Sequence, residues 1–199
     1  MKRDNSQKLM SLQALYGRNK KAVAFMDESY QLPNKFGKKP FYIFAAVIVP
    51  AAKLDQVRQA IRVLVSSDRW HTSENVRRAH GFETANALLS LANSRCKVII
   101  RKSDDFESLT SNGETIRAQV IRQTLEAILG LVPEVGVAVF DRRPEGYLAS
   151  QDKKTISRLR AESFLPSSFR VAFVSPAIEN LLWLPDVVAW FERPDKSKS

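Results

Sequence analysis

Five apolar segments of the chain have the length and composition of buried strands. The first, AVAFM at 22–26, contains no polar residue, which indicates burial on both faces and a central position in a sheet. A short, turn-rich connection containing Pro33 and Gly37 leads to the second segment and predicts an antiparallel hairpin. The five predicted strands cover residues 22–26, 41–49, 97–101, 135–140 and 170–174.

Apolar residues at helical spacing predict helices between these strands. A short amphipathic helix containing Leu12 and Tyr16 comes before the first strand. Ser111 and Glu114 have the spacing of a capping box that opens a helix ending near Gly130. The remaining predicted helices cover about 52–66 and 75–94, the segment after Asp152, and a last helix that begins at Ser175-Pro176.

The order of elements is therefore β, β, α, α, β, α, β, α, β, α. It predicts an α/β fold in which a mixed five-stranded sheet carries helices on both faces and includes right-handed parallel crossovers. We expect a single domain over residues 22–193, a basic N-terminal extension over 1–21 and a disordered tail over 194–199. This order is compatible with the ribonuclease H-like architecture.

The balance of charge favours a polyanionic partner. The chain contains 31 Lys and Arg against 21 Asp and Glu, which gives a net charge of +10. Neutralised phosphates release counterions, so such an excess suits nucleic acid, although a basic surface can also serve solubility alone. Candidate phosphate contacts are Arg142, Arg143, Lys153 and Lys154, which otherwise form an ordinary solvated surface.

Two compositional features narrow the function further. Cys96 is the single cysteine, so neither an internal disulfide nor a cysteine-based zinc site can form. The longest apolar run, 41–49, is far shorter than the roughly 20 residues of a membrane-spanning helix. We therefore expect a cytoplasmic protein with no membrane partner. A phosphate-binding glycine loop is also missing from the sequence, which argues against nucleoside triphosphate hydrolysis.

Three aspartates carry the candidate chemistry. Asp27 and Asp141 each follow a predicted strand, and Asp186 lies in the apolar last helix. Carboxylates that meet at one edge of a sheet repel each other unless a cation lies between them. Each also has a structural alternative, namely a turn or cap for Asp27, an ion pair with its arginine neighbours for Asp141, and solvent exposure for Asp186. Glu28 points to the opposite face from Asp27 if the strand continues.

Several motifs resemble the family "domain of unknown function 3800", over residues 22–191. They are Asp-Glu-Ser at 27–29 after the first strand, the aliphatic run 43–49, Trp-His-Thr-Ser-Glu at 70–74, Asp141, and Leu-Pro-Asp-Val-Val-Ala at 184–189. The resemblance implies a ribonuclease H-like fold with a nuclease site. Two positions depart from the family pattern, because Tyr30 replaces a glycine and Pro185 replaces an alanine. A kink at Pro185 could displace Asp186 and leave the site incomplete.

Phosphodiester hydrolysis requires a neutralised phosphate and an activated water, which two Mg²⁺ or Mn²⁺ ions can supply. On this basis the predicted metal ligands are Asp27, Asp141 and Asp186. Glu74, which the resemblance alone points to, or Glu28 would be the fourth acid. His71 is a candidate general base or a residue that orients water; its alternative is a structural role.

These features support three functional hypotheses. The first is a metal-dependent nuclease that acts on DNA or RNA. The second, which Tyr30 and Pro185 favour, is a catalytically degenerate nucleic-acid-binding module on the same fold. The third is a protein-interaction component.

Overall fold

The computed structural model describes residues 10–17, 21–33, 39–104, 106, 113–144 and 146–194. The strands are β1 (Ala22–Gln31), β2 (Phe41–Pro50), β3 (Lys97–Ser103), β4 (Val135–Asp141) and β5 (Arg170–Val174). The helices are α1 (residues 10–17), α2 (Leu54–Leu64), α3 (Thr72–Asn75), α4 (Gly81–Arg95), α5 (Gly113–Leu131), α6 (Tyr147–Ala161) and α7 (Trp183–Phe191). Short 3₁₀ turns at Ala51–Lys53 and Asn180–Leu182 precede α2 and α7.

The strands form one sheet in the order β3-β2-β1-β4-β5. β1 pairs antiparallel with β2, and β2 pairs antiparallel with β3. β4 runs parallel to β1, and β5 runs parallel to β4. The mixed sheet and the hairpin of its first two strands are as predicted from the order of elements and the short loop, and the central position of β1 is as predicted from its unbroken apolar run.

Alternate residues of the central strands pack against different helices. Val23 and Phe25 of β1 belong to the apolar core that contains α2, α4 and α7, together with Val139 of β4. Met26 and Phe140 belong to the core on the other side, which contains α5 and α6. The sheet is therefore covered on both faces, as the sequence predicts, and a residue's position along the strand decides which layer it faces.

The segment predicted as one helix over 75–94 is divided in two. α3 ends at Asn75, and α4 begins only at Gly81. His80 has the left-handed backbone angle φ of 59°, which a continuous helix does not allow. A Cβ atom on Gly81 would lie 1.7 Å from the backbone oxygen of Asn75, so the chain needs glycine at this close approach.

Two other helix boundaries differ from the prediction. α7 begins at Trp183 rather than near Ser175, because the Glu179 carboxylate accepts a hydrogen bond from the Leu181 backbone N–H and starts a 3₁₀ turn there. α6 already begins at Tyr147, ahead of Asp152. Ser111 of the expected capping box lies outside the described residues.

A buried polar cluster attaches α1 to the rest of the domain. The Tyr16 hydroxyl donates a hydrogen bond to Glu179 Oε2, 3.1 Å away. Arg58 of α2 donates two further hydrogen bonds to the same carboxylate, at 2.6 and 3.0 Å. Glu179 is only 1% exposed, and Leu12 of α1 is buried in the adjoining core. A carboxylate this deeply buried requires such partners, so the cluster fixes α1 next to the turn that precedes α7.

Cys96 lies between α4 and β3, and burial raises the pKa of its thiol to about 11. The thiol therefore stays protonated at neutral pH, which suits an inert side chain rather than a nucleophile. Among the helices of the described residues, none has both the length and the apolar character required to cross a bilayer.

Candidate active site

Asp27 and Asp141 lie side by side on the two central parallel strands. Met26 of β1 is paired with Phe140 of β4, and each aspartate is the next residue on its strand. Both aspartates follow residues that face α5 and α6, so both belong to the opposite face, which α7 covers. The pairing of β1 with β4 ends just before these two residues, so the two acids lie together beyond the end of the paired region.

Asp186 reaches the same region from the first turn of α7. Its Oδ2 atom accepts two hydrogen bonds from Thr72, at 2.8 Å from the backbone N–H and 3.0 Å from the hydroxyl. The indole N–H of Trp70 donates a hydrogen bond of 2.9 Å to the same hydroxyl. Thr72 is completely buried. The first residue of α3 therefore fixes the direction of the Asp186 carboxylate.

The three aspartates are electrostatically coupled, because the charge of one shifts the pKa of another. Burial, followed by the charges of Glu28, Asp186 and Asp141, raises the pKa of Asp27 well above its usual range. Burial and the charges of Glu28 and Asp186 raise the pKa of Asp141 to about 7. Burial also raises the pKa of Asp186, against the opposing effects of the Thr72 hydrogen bonds and of His71. The charge of Arg193 also opposes this rise, so burial outweighs the nearby positive charge.

Glu28 faces the other side of the sheet, as strand alternation predicts. It forms an ion pair with the buried guanidinium of Arg117 on α5. The same guanidinium donates hydrogen bonds to both carboxylate oxygens of Asp152 on α6, at 2.7 and 3.2 Å, and one to the Tyr42 hydroxyl at 3.1 Å. These bonds hold Glu28 away from the α7 face, although its charge still raises the pKa values of Asp27 and Asp141.

Of the four basic residues singled out as phosphate contacts, Arg143 makes internal contacts. It donates two hydrogen bonds to Glu114, at 2.6 and 2.7 Å, and two to Asp152, both at 3.1 Å. Arg142, Lys153 and Lys154 are exposed. Arg143 and Lys153 also line a cleft of about 640 Å³ between the end of β4 and α6.

His71 and Glu74 lie on the surface near Asp186. His71 directly precedes α3, and its Nδ1 atom lies 3.0 Å from the Ser73 hydroxyl. Its charge lowers the pKa of Asp186, which places the imidazole within electrostatic reach of that carboxylate. Glu74 is exposed on α3, and the structure gives it no contact with any of the three aspartates among the described residues.

The two departures from the family pattern leave these aspartates together. β1 continues through Tyr30, whose ring stacks on that of Tyr42 with centroids 5.1 Å apart, so there is no turn beside Asp27 that a glycine would serve. Pro185 lies in the first turn of α7, where helices leave backbone N–H groups without intrahelical partners. α7 therefore continues through Pro185 from Trp183 to Phe191, and Asp186 stays bonded to Thr72.

Sequence analysis did not single out Thr72 or Arg117. Nothing in the local sequence marks Thr72, because its partner Asp186 is 114 positions away. Arg117 did carry a signal. It lies four and eleven residues before Ile121 and Ile128, on the apolar side of the predicted helix, and a charge at such a position requires a buried partner.

Comparisons with known proteins bear on the fold. A scan of protein-family models and a search of curated proteins both gave no match. Among solved structures, the chain is similar to Bst ribonuclease HIII in complex with Mn²⁺, with a TM-score of 0.57, 10% identity, and coverage of 89% of this chain and 53% of that one. The chain is also similar to a single-residue variant of Bst ribonuclease HIII, with a TM-score of 0.57, 8% identity, and coverage of 88% of this chain and 53% of that one.

A third similar structure is ribonuclease H2 from Pyrococcus horikoshii OT3, with a TM-score of 0.53, 13% identity, and coverage of 86% of this chain and 72% of that one. The chain spans about half the length of the two ribonuclease HIII chains. At these identities the similarity concerns the fold alone. The chain has a ribonuclease H-like α/β fold.

Proposed function

We propose that this protein is a metal-dependent nuclease that hydrolyses phosphodiester bonds in DNA or RNA. The observation that carries the proposal is the convergence of Asp27, Asp141 and Asp186, with raised pKa values, at one edge of the central sheet. The excess of basic residues supports a polyanionic substrate, as does similarity to structures whose names are those of ribonucleases. Membership of the "domain of unknown function 3800" family stays a prediction.

The donor atoms suit a hard divalent cation. Mg²⁺ and Mn²⁺ prefer oxygen ligands, and the mutual repulsion of the aspartates is relieved by a positive charge between them. In the described part of the chain, however, no three acidic, histidine or cysteine side chains are already gathered as a metal-binding group. Binding would therefore require the carboxylates of Asp27, Asp141 and Asp186 to turn towards one point.

Other residues of the chain would orient these ligands and move protons. A bound cation would neutralise the scissile phosphate and acidify a water molecule. Thr72 holds one oxygen of Asp186 through two hydrogen bonds, which limits rotation of that carboxylate. Arg117 keeps Glu28 on the opposite face, so we favour Glu74 over Glu28 as a fourth acid. His71, whose charge acts on Asp186, is the candidate general base or a residue that orients water.

The test compares cleavage of labelled single-stranded and duplex DNA and RNA in Mg²⁺, in Mn²⁺ and in a chelator. Asp27→Asn, Asp141→Asn and Asp186→Asn should each reduce cleavage about 100-fold or more, because even indirect partners of a metal change activity 10–100-fold. Asp55→Asn is the matched control, since Asp55 forms only an exposed ion pair with Arg58. Equal cleavage by the wild type and all three variants would refute the assigned site.

A non-catalytic nucleic-acid-binding module is the second candidate. It is favoured by the absence of a preformed three-ligand group among the residues that the structure describes. Calorimetric titration with Mn²⁺ distinguishes the nuclease from the non-catalytic module. The nuclease proposal predicts binding that weakens in Asp27→Asn, whereas the degenerate module predicts no heat of binding together with salt-dependent association with nucleic acid.

A further inference from the structure

A cleft is lined by residues on either side of Thr72, the residue that is bonded to Asp186. It has a volume of about 410 Å³ and is lined by Arg69, His71 and Arg78 on one wall, with Ser175 on the other and Trp183 at its base. We call it the Arg69–Arg78 cleft. Trp183 lies three positions before Asp186, so the two residues lie on the same side of the first turn of α7.

The wall of the cleft is rigid because of contacts already described. Thr72 is bonded to Asp186 by its backbone and by its hydroxyl, and Trp70 is bonded to Thr72. At the other end of the wall, Gly81 packs against the backbone of Asn75. The exposed side chains of Arg69 and Arg78 thus project from a segment whose backbone position is tied to Asp186.

The charge of the cleft is positive, and its guanidinium groups are available. The Arg69 guanidinium makes no hydrogen bond or ion pair within the ranges that the structure describes, and Arg78 makes one long hydrogen bond of 3.4 Å to Asn75. Both arginines are exposed, and Glu74 is the one acid among the described residues that line the cleft. Guanidinium groups with free donors match the oxygens of phosphates in a bidentate manner.

The basic surface on α6 offers fewer free guanidinium donors than the cleft. Its Arg143 is bonded to Glu114 and Asp152, which leaves its guanidinium little capacity for a phosphate. The exposed lysines there, Lys153 and Lys154, lie on the side of the sheet that carries α5 and α6. Asp27, Asp141 and Asp186 belong to the other side, which α7 covers.

We infer that the Arg69–Arg78 cleft binds the phosphate backbone of the nucleic-acid strand that is cleaved at the aspartates. The inference rests on the proposed nuclease function. It assigns the main phosphate contacts to Arg69 and Arg78 rather than to Lys153 and Lys154. The strand would run along the wall that holds Asp186 and reach the acidic edge past His71.

The test measures binding by fluorescence anisotropy with labelled single-stranded DNA and RNA of about 20 nucleotides, longer than common single-strand site sizes. A chelator prevents cleavage, and salt is varied from about 50 to 200 mM. The double variant Arg69→Ala/Arg78→Ala should bind about tenfold more weakly and lose about two units of the slope of log affinity against log salt. Arg69→Lys/Arg78→Lys, which keeps both charges, should retain most of that slope.

The matched control is Lys153→Ala/Lys154→Ala, which removes two charges from the other surface and should change binding less. Thermal unfolding checks that each variant is folded. Unchanged binding in the arginine double variant, or a larger loss in the lysine double variant, would overturn the inference, as would a wild type that binds neither probe at low salt. Cleavage that depends on Asp27 would then still support the nuclease, whereas arginine-dependent binding without any cleavage would support the cleft and refute the nuclease.

Discussion

Replacing Asp141 with asparagine should stabilise the metal-free protein at alkaline pH. The pKa of Asp141 is raised from 3.8 to about 7, first by burial and then by the charges of Glu28 and Asp186. The folded protein therefore holds a proton that the unfolded chain has released between about pH 4 and pH 7. Because the folded state binds more protons in this window, the contribution of Asp141 to stability falls as the pH rises through it.

The size of the effect follows from the shift in pKa. A change of about three units corresponds to about 4 kcal/mol, since one unit is about 1.4 kcal/mol. This is an upper limit, because Asp27 and Asp186 titrate together with Asp141 and share the cost of repulsion. We expect the free energy of unfolding of Asp141→Asn to exceed that of the wild type by about 1–4 kcal/mol at pH 8, and the difference to vanish near pH 4.

The assay is urea denaturation of the wild type and Asp141→Asn in a chelator, between about pH 4 and pH 8. The difference between the two proteins reports Asp141 together with its interaction with Asp27 and Asp186, and it removes the contribution of distant titrating groups. Addition of Mg²⁺ at pH 8 should stabilise the wild type more than the variant, because the cation binds the carboxylate that the variant lacks. A variant that is less stable than the wild type at pH 8, or a difference that does not depend on pH, would show that Asp141 is not under repulsion.

Three further substitutions test the contacts around the site through the free energy of unfolding in urea. Arg117→Met should lose about 3–5 kcal/mol, because it leaves buried acids without their partner; a loss below about 1 kcal/mol would contradict this. Thr72→Val should lose about 1–2 kcal/mol through the missing hydroxyl, and Thr72→Ser should lose less; equal losses would mean that the hydroxyl is unimportant. Gly81→Ala should lose about 3 kcal/mol through overlap with the Asn75 backbone, whereas Gly130→Ala, where a Cβ atom meets open space, should be neutral or stabilising.

The layers of this fold could be predicted because the signals that specify them are local. The unbroken apolar run of β1 predicted its central position, and the period of two along the strand correctly placed Glu28 on the opposite face from Asp27. β1 proved longer than predicted because its pairing with β2 continues past Asp27 as far as Gln31. Pairing with a neighbouring strand can carry a strand on through polar residues. The end of an apolar run in the sequence therefore does not mark the end of the strand.

The surroundings of the aspartates could not be predicted in the same way. The hydrogen bonds from Thr72 to Asp186 connect residues that are 114 positions apart, so their existence depends on how α3 and α7 pack. The start of α7 depends on Glu179, which is stabilised by Arg58 and Tyr16 from two distant helices. Sequence patterns specify which residues face inward, but not which buried polar groups meet there.

The contact between Tyr16 and Glu179 has a practical consequence for anyone who shortens this protein. A recombinant chain trimmed to begin at the first strand would lose the Tyr16 hydroxyl, which donates a hydrogen bond to the buried Glu179 carboxylate. That carboxylate starts the turn which leads into α7 and Asp186. Trimming the N-terminus as a dispensable basic arm would therefore disturb an acidic side chain on the opposite end of the sequence.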